Sequence, residues 1–455
     1  MRAPGSRDFD VIIVGAGVIG TAMASLLVAR KLCAPGRVAI VADRFAPVPG
    51  EADTEGAAGV GAAGVGAAGA GAAATDWDLR VFALSRASER LLTICGVWDC
   101  LPRDRVFAYE RMCVWDKSGT PEGAGSLTFD CARIGEPNLG FIVDGRALQW
   151  QCLQAARASG AALLEAGLEA IVAGDDGMSI RLADGRELHG KLLIAADGTE
   201  SRARALLGIE TAGHAYHQDA LVAHVRTAKP HRNTAWQRFL ASGPLAFLPL
   251  PDGRSSIVWS AERSEAARLG ELDARAFGAA LTAASGEALG ECELTTAIKS
   301  FPLRLQYALD YVRPRAVLLG DAAHAVHPLA GQGLNLGLLD CAVLADVLGE
   351  ADGAARFGEH KLLRRYERWR RSENLLAAAA FDGLERLFST ADPFGTRLRA
   401  AGLRAVDKLP FIKHRFAQRA LGLSGDVPNF LKGDFLRGDS LRVDFLRGDR
   451  SSPRR

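Results

Sequence analysis

Residues 10–31 read DVIIVGAGVIGTAMASLLVARK. Asp10–Val14 is an apolar run of strand length, and Gly15, Gly17 and Gly20 follow it directly. The residues after them, rich in Ala, Leu and Met, favour a helix. A second apolar run, Arg37–Val41, comes after a Pro35-Gly36 turn. Strand, glycine turn, helix and strand make the βαβ unit that opens a nucleotide-binding fold. In such a unit the first glycine permits a tight turn and the second lets backbone approach a pyrophosphate. The third allows close helix–strand packing, and the helix N-terminus turns unpaired N–H groups toward the phosphates. A ribose-binding acid is expected near position 42. Ala42 stands there and Asp43 follows it, so Asp43 is either that acid one residue out of phase or a solvated turn residue.

Two more glycine–acid pairs lie downstream. Residues 191–204, KLLIAADGTESRAR, place Asp197-Gly198 at a strand end, with Ser201 and Arg204 starting a helix. Residues 316–340, AVLLGDAAHAVHPLAGQGLNLGLLD, place Gly320-Asp321 after a buried strand at Ala316–Leu319. There an acid can accept hydrogen bonds from a ribityl hydroxyl. Pro328, Gly331 and Gly333 then bring backbone close to a flat ligand, and a long apolar helix runs from Gly333 to about Leu348. Its positive N-terminus favours negative charge on a reduced flavin.

The other elements are ordinary. Asp78–Ser85 leads into a helix ending near Gly96, and Ala147–Ser159 reads as a further helix. Met178–Leu182, a turn at Asp184-Gly185 and Lys191–Ala195 read as β structure. Leu221–Val225 and Ile257–Ser260 suggest a β-rich segment across 213–300, and 355–422 reads as almost wholly helical. Gly56–Ala74 contains only Gly, Ala and Val, too little side-chain surface for a core, and is read as a flexible insertion. From Phe430 four five-residue units, FLKGD, FLRGD, SLRVD and FLRGD, suit neither helix nor strand burial. They read as a disordered extension, with a partner-docking tail as the alternative.

Composition narrows the function. The chain has 455 residues, enough for two or three packing units, and its 48% hydrophobic content is that of a globular protein. A formal charge of +2 argues against nucleic-acid binding. The eight cysteines show no C-x-x-C pair, so free and mostly buried thiols are expected. Val11–Ala29 lacks charge, but Asp8 and Asp10 replace the basic flank of a signal peptide, and no integral anchor is expected. His324 and His327 have the spacing of a ligand pair, without a third ligand and beside Pro328, so packing is preferred to metal. Lys361–Glu373 holds six basic residues among Leu, Tyr and Trp. It is either a solvated helix face or a surface for an anionic membrane or a partner.

The combination of Gly15/Gly17/Gly20, Asp197-Gly198 and Gly320-Asp321 resembles the class A FAD-dependent aromatic hydroxylases, the group of p-hydroxybenzoate hydroxylase. The segment HPLAGQGLNLG at 327–337 is similar to that of ubiquinone-biosynthesis hydroxylases, as are YERWRRSEN at 366–374 and GDVP at 425–428. The resemblance spans roughly 8–428 without the Gly/Ala insertion. It implies an α/β FAD-binding Rossmann-like domain (8–212 and 300–350), an inserted β-sheet substrate domain (213–299), a helical C-terminal region (351–428) and a tail (429–455). It implies non-covalent FAD, with Gly15, Gly17 and Gly20 at the ADP half, Arg80 near the flavin, and Arg146 and Gln149 as polar contacts. Asp321 would bind the ribityl chain, while Gly331, Gly333, Leu334 and Asn335 would face the isoalloxazine. Asp197 is linked in the family with both FAD and NAD(P)H.

The implied reaction is ring hydroxylation of a prenylated phenol or quinone precursor with O2 and NAD(P)H as a transient co-substrate. Partner ubiquinone-biosynthesis proteins and a cytoplasmic location, peripheral to the inner membrane, go with it. A hydroxylase of small soluble aromatics and a flavin-free prenyl carrier on the same fold are the rivals. No catalytic side chain stands out, which fits a cofactor that carries the reactive chemistry.

Overall fold

A strand buried on both faces has no need of alternating polarity. Arg7–Val14 is such a strand, with Val11, Ile12 and Ile13 fully buried. In the computed structural model it is central in an eight-stranded sheet, between Val38–Ala42 and Glu187–Ala195, parallel to both. Ala162–Glu165 and Ala316–Leu318 extend the parallel set on either side. The structure describes residues 7–48, 77–116, 119–123, 125–174, 176–325, 332–389, 422 and 427–432, with side chains omitted for 332 and 375–389. The Gly/Ala stretch at 56–74, Gly331, His327, 390–421 and the repeats beyond Lys432 lie outside the described residues.

The first helix, Val18–Ala29, packs against Gly145–Ala158 and Gln332–Leu348. Ala22, Met23, Ala24, Leu26 and Leu27 are all fully buried, so it is apolar all round rather than amphipathic. A second, nine-stranded sheet is mostly antiparallel. One of its faces is covered by the helices Arg263–Gly270 and Ala274–Ser285, which seal Trp236, Phe247, Ile257, Trp259 and Phe277 into a separate core. A three-stranded sheet is made of Val81–Leu84, Gly140–Asp144 and Val106–Tyr109, and its Ala83 and Ile142 share a cluster with Leu248 and Leu250. All eight cysteines are free, and all but Cys100 are buried.

Three expectations need correction. The second sheet does not stop at 213–299. It recruits Arg111–Asp116, paired in parallel with Thr234–Leu240, then Ser126–Asp130 and Lys299–Ala308. Pairing between strands about 120 residues apart leaves no local mark in the sequence. The 213–300 segment also holds the two helices, whose signals were present: Asp273 accepts the Ala276 amide at 2.7 Å, and Gly286 ends the second helix in the left-handed conformation.

The tail does not begin at 429 either. Asn429–Lys432 is a short helix with Leu431 only 3% exposed. The Leu431 carbonyl accepts from Arg90, and the Arg30 guanidinium stacks 3.9 Å from the Phe430 ring centroid. The first repeat unit therefore starts inside the fold.

The basic helix is the third case. In His360–Ser389, Leu363, Tyr366 and Arg370 are fully buried, and Leu362 and Trp369 pack on the main core. Over 362–370 its apolar side chains face the protein, so that stretch has no face for an interfacial helix to insert. Lys361, Arg364, Arg365 and Arg368 remain exposed, with Arg364 paired to Glu367 and Arg365 to Glu350.

Candidate active site

The three N-terminal glycines act by different means. Gly15 has φ +110°, and a Cβ there would lie 2.2 Å from the Ala196 carbonyl oxygen. A Cβ on Gly20 would lie 2.0 Å from the Gly15 carbonyl oxygen. Both are required by protein contacts alone. Gly17 is exposed, its backbone is extended (φ −70°, ψ 178°), and a Cβ there would meet nothing within 4 Å. No side chain caps the helix that starts beside it. Open space in front of an uncapped helix N-terminus is what an anionic group such as a pyrophosphate requires. The site therefore fits a dinucleotide. Asp43 is exposed just past the end of Val38–Ala42, the neighbouring parallel strand.

Asp197 lies against the same turn, because a Cβ on Gly15 would also come 2.8 Å from its amide nitrogen. Its carboxylate accepts from Ser201 Oγ through Oδ1 and from the Ala203 amide at 2.9 Å through Oδ2. Burial pushes this carboxyl above its usual range, against the pull of those donors and Arg204. Gly198 follows with φ +81°. Arg204, 8% exposed, donates to the carbonyls of Thr199 (2.8 Å) and Ala322 (2.9 Å). It thus ties the Asp197 turn to the turn Gly320–Ala322.

Gly320 has φ +57°, and a Cβ there would lie 3.2 Å from Ile19 Cγ1. A Cβ on Gly337 would be 2.7 Å from Ile19 Cδ1. One side chain of the first helix is therefore the spacer against which two distant glycines close. The Asp321 side chain is exposed beside this turn, yet surrounding protein raises its carboxyl, with His324 and Arg80 acting to lower it.

Arg80 is exposed, its guanidinium 5.0 Å from the Phe82 ring centroid, and its carbonyl accepts the Gly145 amide at 3.0 Å. Arg146, exposed on the next residue, acts electrostatically on Asp78, as does Arg80. Gln149 is half-buried one turn on. The glycine loop, Asp197-Gly198 and Gly320-Asp321 thus meet around the N-terminus of the first helix, and Arg80 and Arg146 lie together.

Within Gln332–Leu348, Gly333 has open space at its Cβ position and Leu334 is half-buried. Asn335, expected along this stretch to face the isoalloxazine, has its carboxamide committed to protein groups. Its Oδ1 accepts from the Ser85 amide (2.9 Å) and Ser88 Oγ (2.6 Å), and its Nδ2 donates to the Ala83 carbonyl (2.8 Å). The amide pins the first turn of this helix to the strand Val81–Leu84, which follows Arg80.

Sequence reasoning missed the group behind Gly320. Asp340, fully buried, accepts from the Gly320 amide at 3.0 Å and meets His324 Nε2 at 2.6 Å through Oδ2, and Arg370 Nε at 2.6 Å through Oδ1. Arg370 also donates to Asn374 Oδ1 at 2.7 Å. Burial works to raise the Asp340 carboxyl, and His324 and Arg370 overcome it and hold it at about 2. The sequence signal was an acid inside an apolar helix, one that cannot be buried without a cation.

Removing that cation is costly. Arg370→Met should destabilise the fold by about 3–5 kcal/mol, because it leaves a buried carboxylate short of its partner. A thermal melt unchanged from the parent would contradict the pairing. The pH dependence has a definite sign. A depressed carboxylate contributes stability above its unfolded pKa and loses it as pH falls through the folded one. The stability gap between the parent and Asp340→Asn should therefore shrink by roughly 2 kcal/mol between pH 5 and pH 2, as urea melts would measure.

Residues 153–378 match the FAD binding domain family. The 3-demethoxyubiquinol 3-hydroxylase of Escherichia coli K12 is 31% identical over 422 residues, covering 92% of this chain and all of that protein. The ubiquinone hydroxylase UbiL of Rhodospirillum rubrum is 34% identical and covers 94% of each chain. Among solved structures, p-nitrophenol 4-monooxygenase PnpA from Pseudomonas putida DLL-E4 shares the fold at TM-score 0.66 and 15% identity, covering 91% of this chain and 98% of that one.

Proposed function

The chain belongs to the family of FAD-dependent ubiquinone-biosynthesis hydroxylases, and from that premise we propose that it hydroxylates the aromatic ring of a polyprenylated ubiquinone precursor with NAD(P)H and O2. The observation that carries the reading is the open, uncapped helix end at Gly17 with the two other glycine–acid turns gathered around it.

In this reading the amides that begin Val18–Ala29 hold the pyrophosphate, Asp43 the ribose and Asp321 the ribityl hydroxyls. Arg80, Arg146 and Gln149 supply further polar contacts along the cofactor. Gly331, Gly333 and Leu334 face the ring system, and the N-terminus of Gln332–Leu348 favours negative charge there. Asn335 positions that turn through Ser85, Ser88 and Ala83. Asp197-Gly198 shapes the wall beside the glycine loop. Bound FAD supplies the redox chemistry, taking electrons from NAD(P)H and using O2 to oxygenate the substrate. The protein orients the ring and keeps water from the reacting atoms.

Among the described residues no helix is long and apolar enough to cross a membrane. A prenylated substrate resides in lipid, so the protein meets the inner membrane from the cytoplasmic side as a peripheral partner, alone or with other ubiquinone-biosynthesis proteins. Exposed Lys361 and Arg368 offer electrostatic contact for that encounter.

The test begins with purification. The protein should carry one FAD per chain, released by denaturation, and a prenylated phenol should accelerate its NAD(P)H oxidation. Protein that remains colourless after incubation with FAD would overturn the reading.

A further inference from the structure

The face of the nine-stranded sheet turned away from its two helices carries a straight cross-strand row. Backbone pairing sets Leu127 beside Val114, Val114 beside Gln237, Gln237 beside Ala246, Ala246 beside Val258 and Val258 beside Val222. Side chains alternate along a strand, and the neighbours Cys113, Trp236, Phe247, Ile257 and Leu221 belong to the core under the helices. The row therefore points the other way. Its five apolar members are only half-buried.

Gln237 is the exception in the middle. It is 6% exposed, and its carboxamide has no hydrogen-bond partner among the described residues. Neither of its amide atoms is sealed off, so this nearly buried carboxamide keeps both its donor and its acceptor open to a ligand on that face.

The row lies beside the proposed flavin site. Leu248, two residues beyond Ala246 on the same face, packs in the cluster of Ala83 and Ile142. The Ala83 carbonyl is the one that accepts from Asn335 in the first turn of Gln332–Leu348. The helix His360–Ser389 lies against the strands Thr234–Leu240 and Gly243–Pro249. A flat apolar floor with one central hydrogen-bonding group matches a phenolic ring.

We propose that this row seats the aromatic ring of the substrate and that Gln237 orients it by hydrogen bonding the ring oxygen. The proposal rests on the phenol-hydroxylase reading above. Gln237 can donate through Nε2 and accept through Oε1, so it serves a phenol or its oxyanion alike.

The test uses FAD-loaded protein in a fixed detergent concentration and two probes, 2-geranylphenol and geranylbenzene, which differ by one hydroxyl. Binding is read from the perturbed flavin absorbance. The parent should bind the phenol about tenfold more tightly, the size of one net hydrogen bond. Gln237→Leu should erase that preference while its FAD content stays unchanged. Its hydroxylated product per NAD(P)H consumed should fall as well, because a misoriented ring leaves electrons to O2 alone. Gln237→Met serves if the leucine variant loses FAD. An unchanged preference in either FAD-loaded variant would overturn the role of Gln237 and leave the hydroxylase reading intact. A parent protein that binds neither probe would overturn the substrate reading and the proposal together.

Discussion

Gly17→Val should abolish FAD binding while leaving the flavin-free protein as thermally stable as its parent. The second half of that expectation comes from the structure, because a Cβ at Gly17 touches nothing and the backbone there is extended. The first half comes from what the open space is for. Branched methyl groups in front of the N-terminus of Val18–Ala29 would block the approach of a pyrophosphate to its free amides. An affinity loss of about a thousandfold corresponds to about 4 kcal/mol.

Gly20→Val is the control and should fail differently. Its Cβ would sit 2.0 Å from a backbone oxygen, so the helix must move off the strand. Overpacking of this kind costs about 1–3 kcal/mol or more. Flavin fluorescence titration and melts of the flavin-free variants separate the two cases. If Gly17→Val lowers the melting temperature as much as Gly20→Val, the glycine loop is structural throughout. If Gly17→Val retains FAD affinity, the phosphate site lies elsewhere.

The second large effect concerns the tail of the substrate. Each methylene removed from water contributes about 0.8 kcal/mol, so a ten-carbon geranyl chain need bury only a few of its carbons to change kcat/KM by about a hundredfold. The ring then requires only the contacts that orient it. FAD-loaded protein should hydroxylate 2-geranylphenol with a kcat/KM at least about a hundredfold above that for phenol, most of it through KM, since uniform binding of a remote group lowers KM first. Equal efficiency, or a preference for phenol, would assign the protein to the hydroxylases of small soluble aromatics.

Much of the site was legible because its chemistry is backbone chemistry. Gly15, Gly20 and Gly320 report close approaches or left-handed turns that side chains forbid, and such positions survive in sequence as glycine after a strand. The positions of Asp43 and Asp321 just past strand ends could be read as well. The role of Asn335 could not. Its position in the motif suggests a ligand contact, whereas its bonds to Ser85, Ser88 and Ala83 depend on a helix and strand about 250 residues away.

The Asp340–His324–Arg370 group was hidden for the same reason, and Arg370 read as one more charge on a basic helix until its burial separated it from Lys361 and Arg364. Gln237 gives no local signal at all. Its oddness lies in the apolar residues beside it across five other strands, and register is a property of the sheet rather than of any strand. The extent of the second sheet was missed likewise, since parallel pairing of Arg111–Asp116 with Thr234–Leu240 is set by tertiary packing.

Isotope incorporation tests the central claim most directly. FAD-loaded protein, NAD(P)H, a prenylated phenol and 18O2 should yield a ring-hydroxylated product carrying one atom of 18O, with the prenyl chain unaltered and no product when FAD is withheld. A product whose new oxygen comes from water, or NAD(P)H oxidation that yields only reduced oxygen species with every prenylated phenol offered, would contradict it.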